Sequence, residues 1–184
     1  MELNECLKYD NEPILRETLE DISFPVSQKE QELIDEMVAY IDSSYDGTYR
    51  AKKIVPGVAI AANQVGLNKK VVYIHTRDLE GREYKFLWGN PKIIFKSETI
   101  TYLSGGEGCL SVKEHHEGNV KRHYVVIVEA NDMLNGNKLE KVELEGFLAI
   151  VAQHEIDHLS GVLYYDRINK EDPMYAEKEW IKIG

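Results

Sequence analysis

What this chain lacks bounds it before any motif is read. It has two cysteines, Cys6 and Cys109. The opening segment Met1-Glu2-Leu3-Asn4-Glu5 lacks the pattern of a secretory or transit signal. Nothing therefore implies an oxidising compartment, a disulfide is not expected, and Cys6 reads as an unbridged thiol in a cytoplasmic protein. No run of about 20 apolar residues occurs, so no membrane span is predicted. Positive charge is scarce: 22 Lys and Arg against 32 Asp and Glu give a net charge of −10. That balance favours solubility and argues against direct nucleic-acid binding through a basic face. Internal repeats and low-complexity segments are missing too. The expectation is a single domain over 1–184, with 43% hydrophobic residues to form an ordinary core.

Against these absences one stretch stands out, His154-Glu155-Ile156-Asp157-His158. On a helix, residues four apart lie about one turn apart on the same face. Both imidazoles can then reach one metal ion, and the glutamate beside the first can act as general base toward water. The preceding residues, Glu145 to Gln153, are apolar nearly all round, as in a helix buried on several sides. Phe147, Val151, His154 and His158 share one stripe. Buried imidazoles need partners, and a metal supplies one to each. Gly161 suits the helix C-terminus.

A catalytic site of this kind needs a third protein ligand and an open position. Six residues after His158 the chain has Tyr164, so a third histidine at that spacing is missing. Glu177 and Glu179 are downstream alternatives, but the tail Glu177–Lys182 reads as a charged surface helix. Cys109 is better placed, inside the glycine-rich stretch Gly105-Gly106-Glu107-Gly108-Cys109-Leu110-Ser111. Glycines let a backbone bend and approach a ligand closely. Taken alone, a cysteine there also reads as a small buried residue.

The surrounding pattern predicts an α+β fold. Ser27-Gln28-Lys29-Glu30 is a capping box, opening a helix with the apolar stripe Leu33, Ile34, Met37, Val38 and Ile41. A polar loop is expected from about 43 to 53. Strand-like runs follow at 71–75, 84–88, 92–95, 99–103, 124–130 and 138–144. Asn135-Gly136 is a hairpin signal between the last two. Strands cluster and helices sit at the ends, so antiparallel β-sheets around the central motif helix are expected.

Three blocks, in order, resemble peptide deformylase. Gly57-Val58-Ala59-Ile60-Ala61-Ala62-Asn63-Gln64-Val65-Gly66 is similar to that family's GxGLAAPQxG. Glu107-Gly108-Cys109-Leu110-Ser111 matches EGCLS throughout, and His154 to His158 matches HExDH. The departures are Ala59 for glycine, which would be strained at a positive φ, and Asn63 for proline, which restores a backbone N–H.

The resemblance implies that Cys109, His154 and His158 hold one divalent metal, Fe²⁺ in the cell with Zn²⁺, Ni²⁺ or Co²⁺ in preparations. It implies Glu155 as proton carrier, with the Gln64 side chain and the Leu110 backbone N–H as oxyanion donors. It places Val58, Ala59 and Gly108 along a substrate groove where the peptide adds as a strand. Phe147, Ile150 and Val151 would line an apolar pocket for methionine. Asp157 and Arg122 would form a buried ion pair that steadies the helix. His75, His115, His116 and His123 have no ligand spacing and read as non-catalytic. The implied substrates are formyl-methionyl nascent peptides, with association at the ribosome where they emerge. A different metal-dependent amidase sharing the histidine helix, and a homologue that binds N-terminal peptides without turnover, are the competing readings. The cysteine block discriminates against the first, and the intact Glu155 and Gln64 against the second.

Overall fold

The computed structural model describes residues 5–184. Met1–Asn4, most of the segment tested above for an export signal, lies outside the described residues. Helix α1 (Gln28–Tyr45) opens at the expected capping box: Glu30 N donates to Ser27 Oγ at 3.3 Å, and Ser27 N donates to Glu30 Oε2 at 2.8 Å. Ile34, Met37 and Ile41 are fully buried on its inner face, with Leu33 and Val38 packed beside them. The stretch expected to be a polar loop is largely helical. Ser43 and Ser44 bond back to the carbonyls of Ala39 and Tyr40, which keeps serine within α1. A short α2 (Tyr49–Lys52) follows.

The strands in chain order are β1 (Ala59–Ala61), β2 (Val71–Arg77), β3 (Glu83–Lys96), β4 (Ile100–Leu103), β5 (Arg122–His123), β6 (Val125–Asp132), β7 (Lys138–Glu145) and β8 (Ile181–Ile183). A five-stranded antiparallel sheet has the order β1-β2-β3-β6-β7, and a three-stranded sheet the order β5-β4-β8. The runs at 84–88 and 92–95, expected as two strands, are one. β3 passes through Asn90 at φ 53, and its register against β6 shifts there. The Asn90 side chain is tied to both backbone groups of Ile22 at 2.8 and 2.9 Å. The β6–β7 hairpin forms as expected, with positive φ at Gly136 and Asn137, one residue later than the Asn-Gly pair suggests.

The tail is a correction. Glu177–Lys182 is no surface helix: the chain turns and Ile181–Ile183 becomes β8, parallel to β4. Ile181 and Ile183 flank Lys182 with the period of a strand. Thr101 Oγ1 donates to the Ile181 carbonyl at 2.6 Å.

Helix α3 (Gly146–His158) lies between the sheets, packed on β1, β2 and β7 of one and on β4 and β5 of the other. Leu148, Ala149, Ile150, Val151 and Ala152 are all buried, some against Val72, Trp88 and Val128 of the large sheet. Gln153 pins α3 to β5, accepting from His123 N at 2.9 Å and donating to its carbonyl at 2.8 Å. Beyond His158 the chain reverses at Gly161, φ 70, with its N–H on the His158 carbonyl at 3.1 Å.

Candidate active site

The last two turns of α3 carry His154 and His158, with ring centroids 5.3 Å apart. The loop after β4 turns through Gly105 and Gly106, both at φ near 80, and delivers Cys109 to them. Cys109 Sγ lies 3.4 Å from His158 Nε2. One donor atom from each of Cys109, His154 and His158 lies within 4.8 Å of the others, the one such group among the described residues. Glu177 and Glu179 are not part of it. One thiol and two imidazoles at this spacing fit a single divalent ion with room for a further ligand. The two rings differ electrostatically. Burial pulls His154 down, but hydrogen bonds to Cys109 and Glu107 outweigh it and raise its proton affinity well above the ordinary range. Burial and the neighbouring His154 hold His158 well below that range, favouring the neutral ring that ligates metals.

Behind the histidines is a buried ionic relay. Arg122, 2% exposed, grips Glu107 with two bonds of 2.9 Å and donates to Asp157 Oδ2 at 2.6 Å. The remaining reach of Glu107 goes to His154 Nδ1, 2.8 Å from its Oε1. Burial pushes the Glu107 carboxyl up, but Arg122 and His154 outweigh it and hold it down to about 2. The same charges raise Arg122 above its ordinary value, although burial acts against them. Arg167 closes the outer side of Asp157. A carboxylate accepting from Nδ1 steadies the ring and leaves Nε2 as the nitrogen that could take a metal.

Glu155 is 5% exposed, and its Oε2 has no hydrogen-bond partner among the described residues. Burial lifts its carboxyl to about 7. It faces a cavity of about 450 Å³. Gln64 is on the wall of that cavity, 1% exposed. Its Oε1 accepts from Ala61 N at 2.8 Å, which aims the Nε2 end at Ser111 Oγ, 3.0 Å away, and at Cys109 Sγ, 3.6 Å away. Leu110 is on the same wall and packs tightly over Gly57, where a side chain would clash.

Val58, Ala59 and Gly108 line the cavity, and Phe147, Ile150 and Val151 give it an apolar side. Of the residues implied as metal-binding, catalytic or substrate-binding, His158 alone is absent from the wall; it sits beneath, 1% exposed, and the Arg122–Asp157 pair also lies off the wall. Ala59 is ordinary strand paired with Ile74, so its methyl brings no strain. Asn63 is fully buried and uses its amide: Nδ2 donates to the His158 carbonyl at 3.0 Å.

A family model for polypeptide deformylase matches residues 4–174. The chain belongs to the polypeptide deformylase family. Among curated relatives, the peptide deformylase of Malacoplasma penetrans is 43% identical over 175 residues, 95% of this chain and 93% of that one. Peptide deformylase 2 of Bacillus subtilis is 39% identical over 175 residues, 95% of this chain and 94% of that one. Among solved structures, the Met-Ala-Ser-bound class I type b peptide deformylase of Acinetobacter baumannii has a TM-score of 0.70 at 29% identity, covering 88% of this chain and 96% of that one. Deformylases are hydrolases, and the family removes N-terminal formyl groups with the help of a metal.

Within this deformylase fold, Glu107 is the group bonded to His154 Nδ1, a part that its place in the cysteine block does not announce. The signal lies in the imidazole instead, since a ligating ring needs an oxygen for its other N–H. Tyr164 is a second such residue, on the cavity wall with its ring near-parallel to His154, centroids 6.1 Å apart. Nothing in the local sequence marks Tyr164, because chain reversal at Gly161 is what returns it to the site.

Proposed function

We propose that this chain hydrolyses the formyl group from formyl-methionine at the N-terminus of nascent polypeptides, releasing formate. The observation that carries the reading is the convergence of Cys109, His154 and His158 beside a buried Glu155 on one cavity. Those three side chains would hold the divalent ion, which when bound supplies a Lewis acid and acidifies water in its open position. We assign Fe²⁺ as the working ion and the cytoplasm, beside the ribosome, as the place of work.

The chain's own groups do the rest. Among the described residues, strand β1 ends the large sheet and pairs with β2 alone. Its other edge can therefore take the peptide backbone alongside Val58 and Ala59, with Gly108 opposite. Phe147, Ile150 and Val151 receive the methionine side chain. Glu155 takes a proton from the attacking water and returns it to the leaving amine as the formyl C–N bond breaks; such transfer is typically worth about 10²–10⁴-fold. Gln64 Nε2 and the Leu110 N–H stabilise the oxyanion, each worth roughly 10²–10³ in rate. The test is formate release from formyl-Met-Ala with metal analysis of the same anaerobic sample. Formate released in proportion to bound iron supports the reading, and an iron-loaded protein that releases none refutes it.

A further inference from the structure

Lys113 and His115 line the cavity and have no part in the chemistry just proposed. Both are exposed, as are Val55 and Val58 on the same wall, so these residues form the mouth; the buried Gln64, Ile150 and Glu155 form the floor. The other charged groups of the wall cannot set the character of the mouth. Glu107 is 4% exposed and neutralised by Arg122, and Glu155 is 5% exposed at the floor. Neither Glu114 nor Glu117, which flank the histidines in sequence, is on the wall. Lys113 thus puts a positive charge at the entrance, with the His115 imidazole beside it, on a chain of net charge −10.

The loop that presents these groups is held at several points. Its start is bonded to Asp10 N through the Ser111 carbonyl at 2.9 Å. Lys113 Nζ stands 4.0 Å above the centre of the Tyr9 ring. The His116 N–H donates to Tyr164 Oη at 3.1 Å, and the His116 ring stacks on Tyr165 at 4.0 Å. Adjacent histidines therefore divide the work: His116 anchors the loop, and His115 is left at the entrance. A charge fixed in place selects partners better than one on a floppy segment, because less entropy is lost when it pairs.

We propose that Lys113 and His115 read the residues following formyl-methionine, favouring formylated peptides with an acidic side chain at the second or third position over those with a basic one. This rests on the deformylase reading of the cavity. Exposed ion pairs of this kind set the scale of the preference at about two- to fivefold in kcat/KM.

The test compares formyl-Met-Ala-Glu with formyl-Met-Ala-Lys, and formyl-Met-Glu-Ala with formyl-Met-Lys-Ala, on iron-loaded protein, with formyl-Met-Ala-Ala as the neutral reference. Expected are an acidic preference carried by KM at low salt and its collapse near about 1 M salt, where the Debye length is about 3 Å. Lys113→Arg should keep the preference, and Lys113→Glu should invert it. A ratio at or below one for the wild-type chain, or a ratio that Lys113→Glu does not move, overturns the inference. Turnover of the neutral peptide with no charge preference sinks this inference alone. No turnover of any of the peptides sinks the deformylase reading and this with it.

Discussion

Glu155 and Arg122 are both buried, yet their charges are handled in opposite ways. Arg122 is paired with both Glu107 and Asp157, whereas Glu155 keeps an oxygen without a partner among the described residues and is pushed up to about 7 by burial. The first arrangement is that of a support, the second that of a group kept ready to exchange a proton. Glu155→Ala should therefore lower kcat by about 10²–10⁴ with unchanged metal per chain; near-normal formate release would remove Glu155 from its assigned role. Arg122→Met should act through folding first, leaving Glu107 charged in the core with His154 as its remaining partner. Breaking a buried pair from one side costs about 3–5 kcal/mol, readable as a fall in the urea midpoint. Asn63 shows why a departure from a family pattern is weighed in three dimensions. In place of proline it offers an amide that ties the Gln64 segment to the His158 carbonyl, a contact that proline has no donor to make.

At the scale of elements, α3 was legible because its apolar run and the four-residue histidine spacing obey one period. Its end was legible for a second reason: Gly161 adopts φ 70, and a Cβ there would strike the Arg16 carbonyl. Gly161→Ala should destabilise the chain by more than about 1 kcal/mol and lower the thermal midpoint; an unchanged midpoint would mean that the reversal tolerates a side chain. The failures are equally local in cause. The tail from Glu177 was read as helix because alternating charges hide a three-residue strand, and only the free edge of β4 gives Ile181–Ile183 a partner. β3 was split in two because its bulge at Asn90 interrupts the hydrophobic alternation without ending the pairing.

For the molecule as a whole, acid should be the condition that loosens it. Several carboxylates are held below their ordinary range by partners formed only on folding: Asp78 and Asp166 by arginines, Glu30 by the α1 cap. Glu107 is the most buried of the group, moved from 4.5 to about 2. A carboxyl depressed by folding contributes stability above its unfolded pKa and loses it as pH falls through the folded value. The urea midpoint should therefore drop between about pH 4.5 and about pH 2, and Glu107→Gln should flatten that slope. A wild-type midpoint constant across this window would contradict the assignment. No helix among the described residues is long and apolar enough to cross a membrane. The buried apolar residues form two core clusters, one on α1 and one on α3.

Local order alone determined the histidine face, the capped first helix, the β6–β7 hairpin and the class of fold, since each depends on a period or turn preference that neighbouring residues express without help. The cysteine's arrival at that face, the Glu107–Arg122–Asp157 relay and the charge of the entrance were decided by tertiary structure. Those residues lie tens of positions apart, and no period links positions 107, 122 and 157. Only the packing of α3 between two sheets, with the loop after β4 folded across its end, brings them within bonding distance.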